Sequence, residues 1–390
     1  MYGGIHMHTF TFKTQIHFET NALSRLSHLE YKKAFIIADP FTVSSGLIRF
    51  VTNQLDAGKV AYTIYSDVVP DPSVQKVVAG VTALVSEKAP CLIAVGGGSA
   101  IDLSKCVRQF AHKLYPDYTP HFIAVPTTSG TGSEVTSFAV ITDTEKNIKH
   151  ALVDDFLLPD EAILDVEMVK SVPPAITAET GMDVLTHAVE AYVSTEANAF
   201  SDMMAEKSAQ RCRTFLFRSF KYPDNGDLKA REKMHLASNQ AGIAFNSASL
   251  GLNHGMAHQL GAQFHISHGR ANAILLPAII EYNSGIHNKT VVIENPDPCI
   301  AKYARMAKAM GLQSYNDIAS VKSLIYYTQC LRAEVKLPSC VREAAPSLTE
   351  AEYMSKIPAM VAAALKDRCT PTNPRVPTPE DVAYLFKSIW

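Results

Sequence analysis

The stretch CLIAVGGGSAIDLSKCVRQFA, residues 91–111, decides the fold that we expect for the first half of the chain. Its first five residues form an apolar run as long as a buried strand, three glycines make a turn, and a helical segment follows. Further apolar runs occupy residues 34–38, 121–125 and 138–142, and another helical segment occupies residues 73–87. Apolar strands that alternate with helices are typical of a parallel sheet covered on both faces. We therefore predict an α/β fold whose parallel sheet contains these runs.

The second half of the chain is predicted to be helical. From about residue 174 the apolar runs stop, and long segments rich in Ala, Met and Leu begin. Pro173-Pro174 is a natural break, because proline lacks a backbone N–H and restricts the residue before it. We therefore expect an α/β domain in residues 1–174 and an all-helical domain in residues 175–390. The helical segments cover residues 178–192, 201–215 and 230–249.

Composition favours an ordinary globular enzyme. A chain of 390 residues is long enough for two domains, and a 47% share of hydrophobic residues is enough to fill two cores. The net charge is −2 and there is no basic run, so we expect neither nucleic acid nor a membrane surface as a main partner. We find no signal-peptide segment and no run as long as a membrane span. Scattered Cys without a CxxC pair indicate reduced thiols and a cytoplasmic setting.

Two glycine-rich turns directly follow predicted strands and are suited to hold phosphate or ribose. Residues 96–99, GGGS, lead into a helix, where backbone N–H groups and the helix dipole favour a phosphate. A plain tight turn is the alternative, and the spacing is not GxGxxG. Residues 125–137, VPTTSGTGSEVTS, supply hydroxyls as well as glycines, although Thr131 or Ser133 would also serve as a helix cap.

Asp39, at the end of the first apolar run, favours NAD over NADP. Its carboxylate would accept hydrogen bonds from the adenosine ribose and repel a 2′-phosphate. An Asp that stabilises a turn before Pro40 is an equally simple explanation of this residue. The candidate cofactor-binding residues are Asp39, Gly96, Gly97, Gly98, Ser99, Asp102, Thr127, Thr128, Thr131, Ser137 and Lys149.

The predicted helical half contains two pairs of residues whose side chains commonly bind metal ions. Asp183 and His187 form one pair, and His254 and His258 form the other, each with a spacing of four. This spacing places both side chains of a pair on one helical face. Their neighbours are apolar or small, and buried Asp and His need a partner that a divalent cation would supply. Spacing alone makes His258 the fourth ligand, and His268 offers an additional one.

Four motifs together resemble the iron-dependent alcohol dehydrogenases. They are GGGSAID at 96–102, PTTSGTGSEVTSFAVITD at 126–143, the helix with Asp183 and His187, and HGMAHQLGAQFHISHGRANAILLP at 254–277. They occur in the order of the family, and the resemblance extends from Asp39 to TNPR at 372–375. Within the family, the segments that look most like the propanol dehydrogenases of bacterial microcompartments are ETGMDVLTHAVEAYVS at 179–194, SLGLNH at 249–254 and SKIPAMVAAAL at 355–365.

The resemblance implies a Rossmann-like amino-terminal domain followed by a helical metal-binding domain, a plan shared with dehydroquinate synthase. It implies that the metal ligands are Asp183, His187, His254 and His268. In the family the residue at His258 stays free beside the metal, where it relays a proton, so we expect His258, Asp183 and His254 to be catalytic. His265 is a weaker rival for the place of His268. No Glu lies between His254 and His258, which disfavours a metalloprotease.

The implied activity is the interconversion of short-chain primary alcohols and aldehydes, such as propanol and propionaldehyde, with NAD and NADH. The metal would favour loss of the hydroxyl proton, and the nicotinamide would exchange the hydride. Fe²⁺ is the family expectation, and the ligand types also permit Zn²⁺. The alternatives are a dehydrogenase of another small diol or of a hydroxy-acid semialdehyde, a non-redox enzyme of the dehydroquinate synthase type, and a non-catalytic protein with a vestigial site.

Three further expectations concern the charge of the cleft, the oligomeric state and the location of the protein. Arg270 stands where the family often has a small or aliphatic residue, and it would add positive charge to the cleft if it faces inward. The resemblance suggests a homodimer or a larger assembly. It also suggests microcompartment proteins as partners, and hence a place in the cytoplasm, within a bacterial microcompartment.

Overall fold

The computed structural model describes residues 10–144, 148–223, 226–286 and 298–390. Its strands are β1 (Gln15–Phe18), β2 (Lys33–Ala38), β3 (Ala61–Tyr65), β4 (Cys91–Gly96), β5 (His121–Pro126), β6 (Phe138–Asp143), β7 (Ile148–Val153) and β8 (Glu161–Leu164). Its helices are α1 (Pro40–Ser44), α2 (Arg49–Ala57), α3 (Val74–Glu87), α4 (Gly98–Leu114), α5 (Pro174–Val193), α6 (Ala199–Lys221), α7 (Leu228–Ala248), α8 (Leu252–Phe264), α9 (His268–Ser284), α10 (Pro298–Ala309), α11 (Asp317–Glu334), α12 (Val341–Ala344), α13 (Glu350–Lys366) and α14 (Pro379–Ser388).

The predicted parallel sheet is confirmed for the runs in β2, β4 and β5. Six parallel strands lie in the order β1-β8-β5-β4-β2-β3, so β4 is central and buried along its whole length. Alternate residues of β4 point to opposite faces. Leu92 and Ala94 enter a core with α3 and α4, whereas Ile93 and Val95 enter a core with α2. Covering both faces in this way explains why these strands are continuously apolar.

The expectation for residues 138–142 was wrong in one respect. They form a strand, β6, but it pairs antiparallel with β7 in a separate two-stranded sheet. Ala139 and Ile141 are buried against the core of α3 and α4. Phe138, Val140 and Thr142 point to the other face and are only half-buried. One covered face is enough for an antiparallel pair, whereas a strand inside the parallel sheet would need two. The sequence prediction also missed β7 and the shorter strands β1, β3 and β8.

Helices form the rest of the described chain. Beyond Leu164 the described residues contain no strand, and every predicted helical segment lies in a helix, with α5 at the centre against α6, α7 and α9. Helix α5 begins at Pro174, where the missing N–H of proline has no intrahelical partner to lose. The exact division at residue 174 stays a prediction. Among the described residues, no helix has the length and apolar character needed to cross a membrane.

The carboxyl ends of β2, β4 and β5 meet at one edge of the sheet. Ala38 lies opposite Val95, and Gly96 lies opposite Pro126. The residues that follow these strands, Asp39 among them, are therefore neighbours. Open parallel sheets bind their ligands at this edge.

Candidate metal centre and nucleotide edge

Three helices bring the predicted metal ligands together. Helix α5 carries Asp183 and His187 on one buried face, α8 carries His254 in its first turn, and α9 begins at His268. The Nε2 atoms of His268, His254 and His187 lie 3.5, 3.7 and 4.0 Å from Oδ1 of Asp183. The side chain of His268 is 42% exposed, whereas the other three are almost fully buried. The group is therefore open only on the His268 side.

The donor set fits a divalent metal ion. One ligand atom from each residue of the group lies within 4.8 Å of every other. A tetrahedral ion with bonds of about 2.0–2.2 Å to nitrogen and oxygen holds its ligand atoms roughly 3.3–3.6 Å apart. The observed separations need only small adjustments to reach that range. Three imidazoles and a carboxylate suit Fe²⁺ and Zn²⁺ alike.

Glu190, which the sequence prediction missed, orients His254. Its carboxylate contacts Nδ1 of His254, and its Oε1 accepts the backbone N–H of Asn253 at 2.8 Å. With Nδ1 donating to this carboxylate, the neutral ring of His254 directs the lone pair of Nε2 at the group. Glu190 lies three residues after His187 among the apolar residues of AVEAYV, and an acid in that apolar stretch was its signal in the sequence.

Asn272 is the second missed residue. Its amide donates to Oδ1 of Asp183 at 2.7 Å and lies 3.2 Å from Nε2 of both His254 and His268. Its own oxygen accepts from Asn253 at 2.8 Å. The two buried asparagines therefore fix the positions of ligands from three different helices.

Electrostatics keep two of the predicted ligands, Asp183 and His187, in forms that bind metal. Burial alone would raise the pKa of Asp183, but His187, His268 and His254 lower it well below its usual range, so the carboxylate is ionised. Burial lowers the pKa of His187 to about 4, although Asp183 opposes the change. Burial also acts to lower the pKa of His254, but the charge of Glu190 and bonds to Asp183 and Glu190 raise it instead, so a metal ion has to displace a proton from this ring. A neutral imidazole and an ionised carboxylate are the forms that coordinate a cation.

His258 lies beside this group and not within it. Its Nδ1 is 2.8 Å from Oδ2 of Asp367, and its ring stacks on that of His268 with centroids 5.4 Å apart. The choice of His258 as fourth ligand on spacing alone therefore does not match the geometry. Asp367 lies 109 residues further along the chain, and no local signal pointed to it. His265 is exposed at the end of α8 and belongs to neither potential metal group of the described chain.

The predicted nucleotide residues gather at the sheet edge. A Cβ on Gly96 would lie 2.6 Å from Oδ2 of Asp39, and one on Gly98 would lie 2.9 Å from Cγ2 of Thr131. A Cβ on Gly97, the N-cap of α4, would lie 3.5 Å from the side chain of Thr128. The glycines thus let the start of α4, Asp39 and the 127–131 loop approach one another. Free N–H groups at the start of α4 remain available for a phosphate.

Two of the predicted cofactor residues have other attachments, and the side chain of a third is not described. Asp102 accepts from Oγ of Ser133 at 2.6 Å and from the N–H of Val140 at 3.0 Å, so it ties α4 to β6. Ser137 donates through its N–H and Oγ to Asn246 on α7. Lys149 belongs to β7, and its side chain lies outside the described part of the structure. The remaining predicted residues, Ser99 and Thr127, lie at the carboxyl edge of β4 and β5.

The nucleotide edge and the metal group are neighbours. Gly130 packs so closely on α5 that a Cβ would lie 2.8 Å from Cβ of Thr180, one turn before Asp183. Ser129 Oγ also lies 3.1 Å from Nδ1 of His235 on α7. The 127–131 loop therefore connects the sheet edge with helix α5, which carries Asp183 and His187.

Comparison with known proteins identifies the family. Residues 13–166 match the family described as iron-containing alcohol dehydrogenase, and residues 177–390 match the carboxyl-terminal part of the Fe-containing alcohol dehydrogenase family. The chain belongs to the iron-containing alcohol dehydrogenases. This confirms the resemblance, the fold class and the enzyme class expected from the sequence. A metal and NAD(H) are general features of this family.

Individual relatives cover almost the whole chain. The 1-propanol dehydrogenase PduQ of Salmonella typhimurium (strain LT2) is 42% identical over 98% of this chain and 100% of its own length. The PduQ protein of Citrobacter freundii is 44% identical over 95% of this chain and 96% of its own. A crystal structure of a 1,3-propanediol oxidoreductase superimposes with a TM-score of 0.87 at 31% identity, covering 99% of this chain and 100% of that one.

Proposed function

We propose that this iron-containing alcohol dehydrogenase interconverts short-chain primary alcohols and aldehydes, with 1-propanol and propionaldehyde as its substrates, and uses NAD(H). The observation that carries the proposal is the convergence of three imidazole Nε2 atoms on the Asp183 carboxylate beside the nucleotide edge. The two PduQ relatives, named as 1-propanol dehydrogenases, support the choice of substrate.

The proposed metal ligands are Asp183, His187, His254 and His268, with Fe²⁺ as the ion and Zn²⁺ as the alternative. A divalent ion in such a site acts as a Lewis acid toward an alcohol or aldehyde oxygen, while the nicotinamide exchanges the hydride. The chain supplies an ionised carboxylate that offsets the charge of the ion. It also supplies imidazoles whose orientation is fixed through Glu190 and Asn272.

His258 is the proposed carrier of the substrate proton. Burial acts to raise the pKa of Asp367, but its bond with His258 lowers that pKa, so Asp367 is an ionised acceptor. Nδ1 of His258 therefore keeps its proton, and Nε2 is the atom that takes a proton or gives one up. The ring is 41% exposed and stacks on His268, which places it between the metal group and solvent.

The sheet edge is the proposed nucleotide site. The start of α4 after Gly97 would hold a phosphate, and the hydroxyls of Thr127, Thr128 and Thr131 would hold phosphate or ribose. The Asp39 carboxylate would accept from the adenosine ribose and disfavour a 2′-phosphate, which supports NAD over NADP. The division into an α/β domain, residues 1–174, and a helical domain, residues 175–390, belongs to this proposal.

Arg270 supports an uncharged substrate. Its guanidinium donates to Oε1 of Glu179 at 2.6 Å, one turn before Asp183 on α5, so its charge is largely offset. A hydroxy-acid semialdehyde would need that charge free. Membership among alcohol dehydrogenases also favours redox chemistry over the dehydroquinate synthase alternative and over a vestigial site.

The proposed setting is the cytoplasm of a bacterium, within a microcompartment, as a homodimer or larger assembly. The support is the similarity to PduQ proteins along nearly the full chain.

Metal dependence tests the proposal directly. Protein stripped of metal would be assayed anaerobically for NADH oxidation with propionaldehyde, before and after addition of Fe²⁺ or Zn²⁺. We expect activity only after metal is added, and none in His254→Ala. His265→Ala is the matched control, because His265 is exposed and lies outside the group, and it should respond like the wild type. Equal activity with and without metal, or no activity with any short aldehyde, would refute the proposal.

A further inference from the structure

A second group of side chains that can bind a metal ion lies beside the four-ligand group. His258 on α8, Asp367 at the end of α13 and Cys369 in the following loop each offer one ligand atom, and these atoms lie within 4.8 Å of one another. We propose that His258, Asp367 and Cys369 form a second cation site, selective for Zn²⁺ and similar thiophilic ions, that fills after the four-ligand group. We call it the thiol site.

Local structure holds the thiol site together without a cation. Oδ2 of Asp367 lies 2.8 Å from Nδ1 of His258, and Oδ1 of the same carboxylate accepts the N–H of Cys369 at 2.9 Å. Zinc bonds of about 2.0–2.3 Å would set the ligand atoms roughly 3.3–3.7 Å apart, so shifts of about 1 Å are sufficient. The exposed edge of His258 gives an ion access from solvent and leaves room for water as a fourth ligand.

The ligand types determine which cation is accepted. A thiolate with an imidazole prefers Zn²⁺ over Mg²⁺ or Ca²⁺, which prefer oxygen ligands only. Binding would release the thiol proton of Cys369 to solvent. The Nδ1 proton of His258 would also leave, and Nε2 would take one up, so one proton is released per ion. No oxidant or reductant is needed.

Occupation of the thiol site would block the relay. With Nδ1 bound to an ion and Nε2 protonated, His258 has no lone pair to accept a proton. Excess Zn²⁺ would therefore inhibit the enzyme while the first ion stays in place. This consequence rests on the function proposed for His258, whereas cation binding itself does not.

Cobalt distinguishes the two sites because only the thiol site contains sulfur. Metal-stripped protein would be titrated anaerobically with Co²⁺, and thiolate-to-cobalt charge-transfer absorption would be followed in the near ultraviolet. We expect none with the first equivalent and a clear band with the second. Cys369→Ser should abolish the band and weaken binding of the second Co²⁺ at least tenfold. Cys330→Ser is the matched control, because Cys330 is also half-buried but lies outside both groups, and it should keep the band.

Several results would overturn the proposal. They are the absence of a band in the wild type up to two equivalents, a band that survives in Cys369→Ser, and a band lost equally in both serine variants. Asp367→Asn provides a second variant should Cys369→Ser fail to fold, and it should weaken the second Co²⁺ while keeping the first.

An activity measurement separates this proposal from the proposed function. Iron-loaded wild type would be treated with excess Zn²⁺, with bound iron measured by elemental analysis. We expect activity to fall with iron retained, and the residual activity of Cys369→Ser to be insensitive to Zn²⁺. Binding of the second Co²⁺ without inhibition by Zn²⁺ would leave the thiol site standing and refute the relay role of His258.

Discussion

Replacing Glu190 with glutamine tests the support of the metal centre without changing a ligand. In the native chain one carboxylate serves two partners, because Oε1 accepts the N–H of Asn253 and Oε2 faces Nδ1 of His254. A glutamine has one oxygen and one NH₂ group. If its oxygen faces Asn253, the NH₂ faces His254 and favours the tautomer whose Nε2 carries a proton and cannot bind metal. If the amide is reversed, two N–H donors face each other at the backbone.

Either orientation weakens metal binding, because a neutral amide also removes the charge through which Glu190 makes His254 a stronger base. Loss of a residue that orients a ligand histidine typically lowers metal affinity 10- to 100-fold, which corresponds to about 1.4–2.8 kcal/mol. The buried donor conflict adds about 1–3 kcal/mol to the destabilisation of the folded chain. That second penalty is present with and without metal, so it largely cancels in the affinity.

Competition with a chromophoric chelator measures the affinity of the stripped protein for Zn²⁺. Glu206→Gln is the matched control, because Glu206 on α6 accepts from the hydroxyl of Tyr192, and glutamine can also accept there. Circular dichroism of both variants checks the fold. An affinity of Glu190→Gln within twofold of the wild-type and Glu206→Gln values would show that this carboxylate does not orient His254 for the metal.

Three further predictions concern single residues. His254→Ala should remove bound metal and activity together, and full activity with one equivalent of metal still bound would contradict the ligand assignment. Asp39→Asn should raise the ratio of kcat/KM with NADP to kcat/KM with NAD about tenfold, or about 1.4 kcal/mol. Asparagine still caps α1, so an unchanged ratio would count against the role of the Asp39 carboxylate in cofactor choice. Asp367→Asn should keep metal at the four-ligand group but lower kcat about 10- to 100-fold with little change in KM, because His258 loses the charge that fixes its tautomer. Loss of that metal on elemental analysis would instead show that Asp367 supports a ligand.

Local patterns in the sequence predicted the central strands, the main helices and one pair of candidate ligands. The apolar run 91–95 is a central strand because both of its faces are covered, and the four-residue spacing of Asp183 and His187 does place both on one helical face. Whether β6 joins the parallel sheet or pairs with β7 depends on which surfaces meet after folding. A five-residue apolar run does not contain that information.

Residues that support the ligands escaped prediction because their role depends on tertiary contact. Asp367 reaches His258 from 109 residues away, and Asn272 serves ligands from three helices at once. Asn272 lies four residues after His268 and so shares its helical face, but that spacing does not show which other helices its side chain reaches. The choice between His258 and His268 had the same difficulty, since spacing favoured the residue that the fold turns toward Asp367.

Helix packing explains why a glycine follows each of two histidines, in His254-Gly255 and His268-Gly269. Metal chemistry alone does not explain these glycines. A Cβ on Gly255 would overlap Oγ1 of Thr370, and a Cβ on Gly269 would overlap the backbone oxygen of Glu179. Each glycine therefore lets a ligand-carrying helix approach the segment it must touch: α8 the loop that holds Asp367, and α9 the helix that holds Asp183. Alanine at either place would push a histidine away from the centre without altering any ligand. The motif combines a ligand with the close contact that brings that ligand into position.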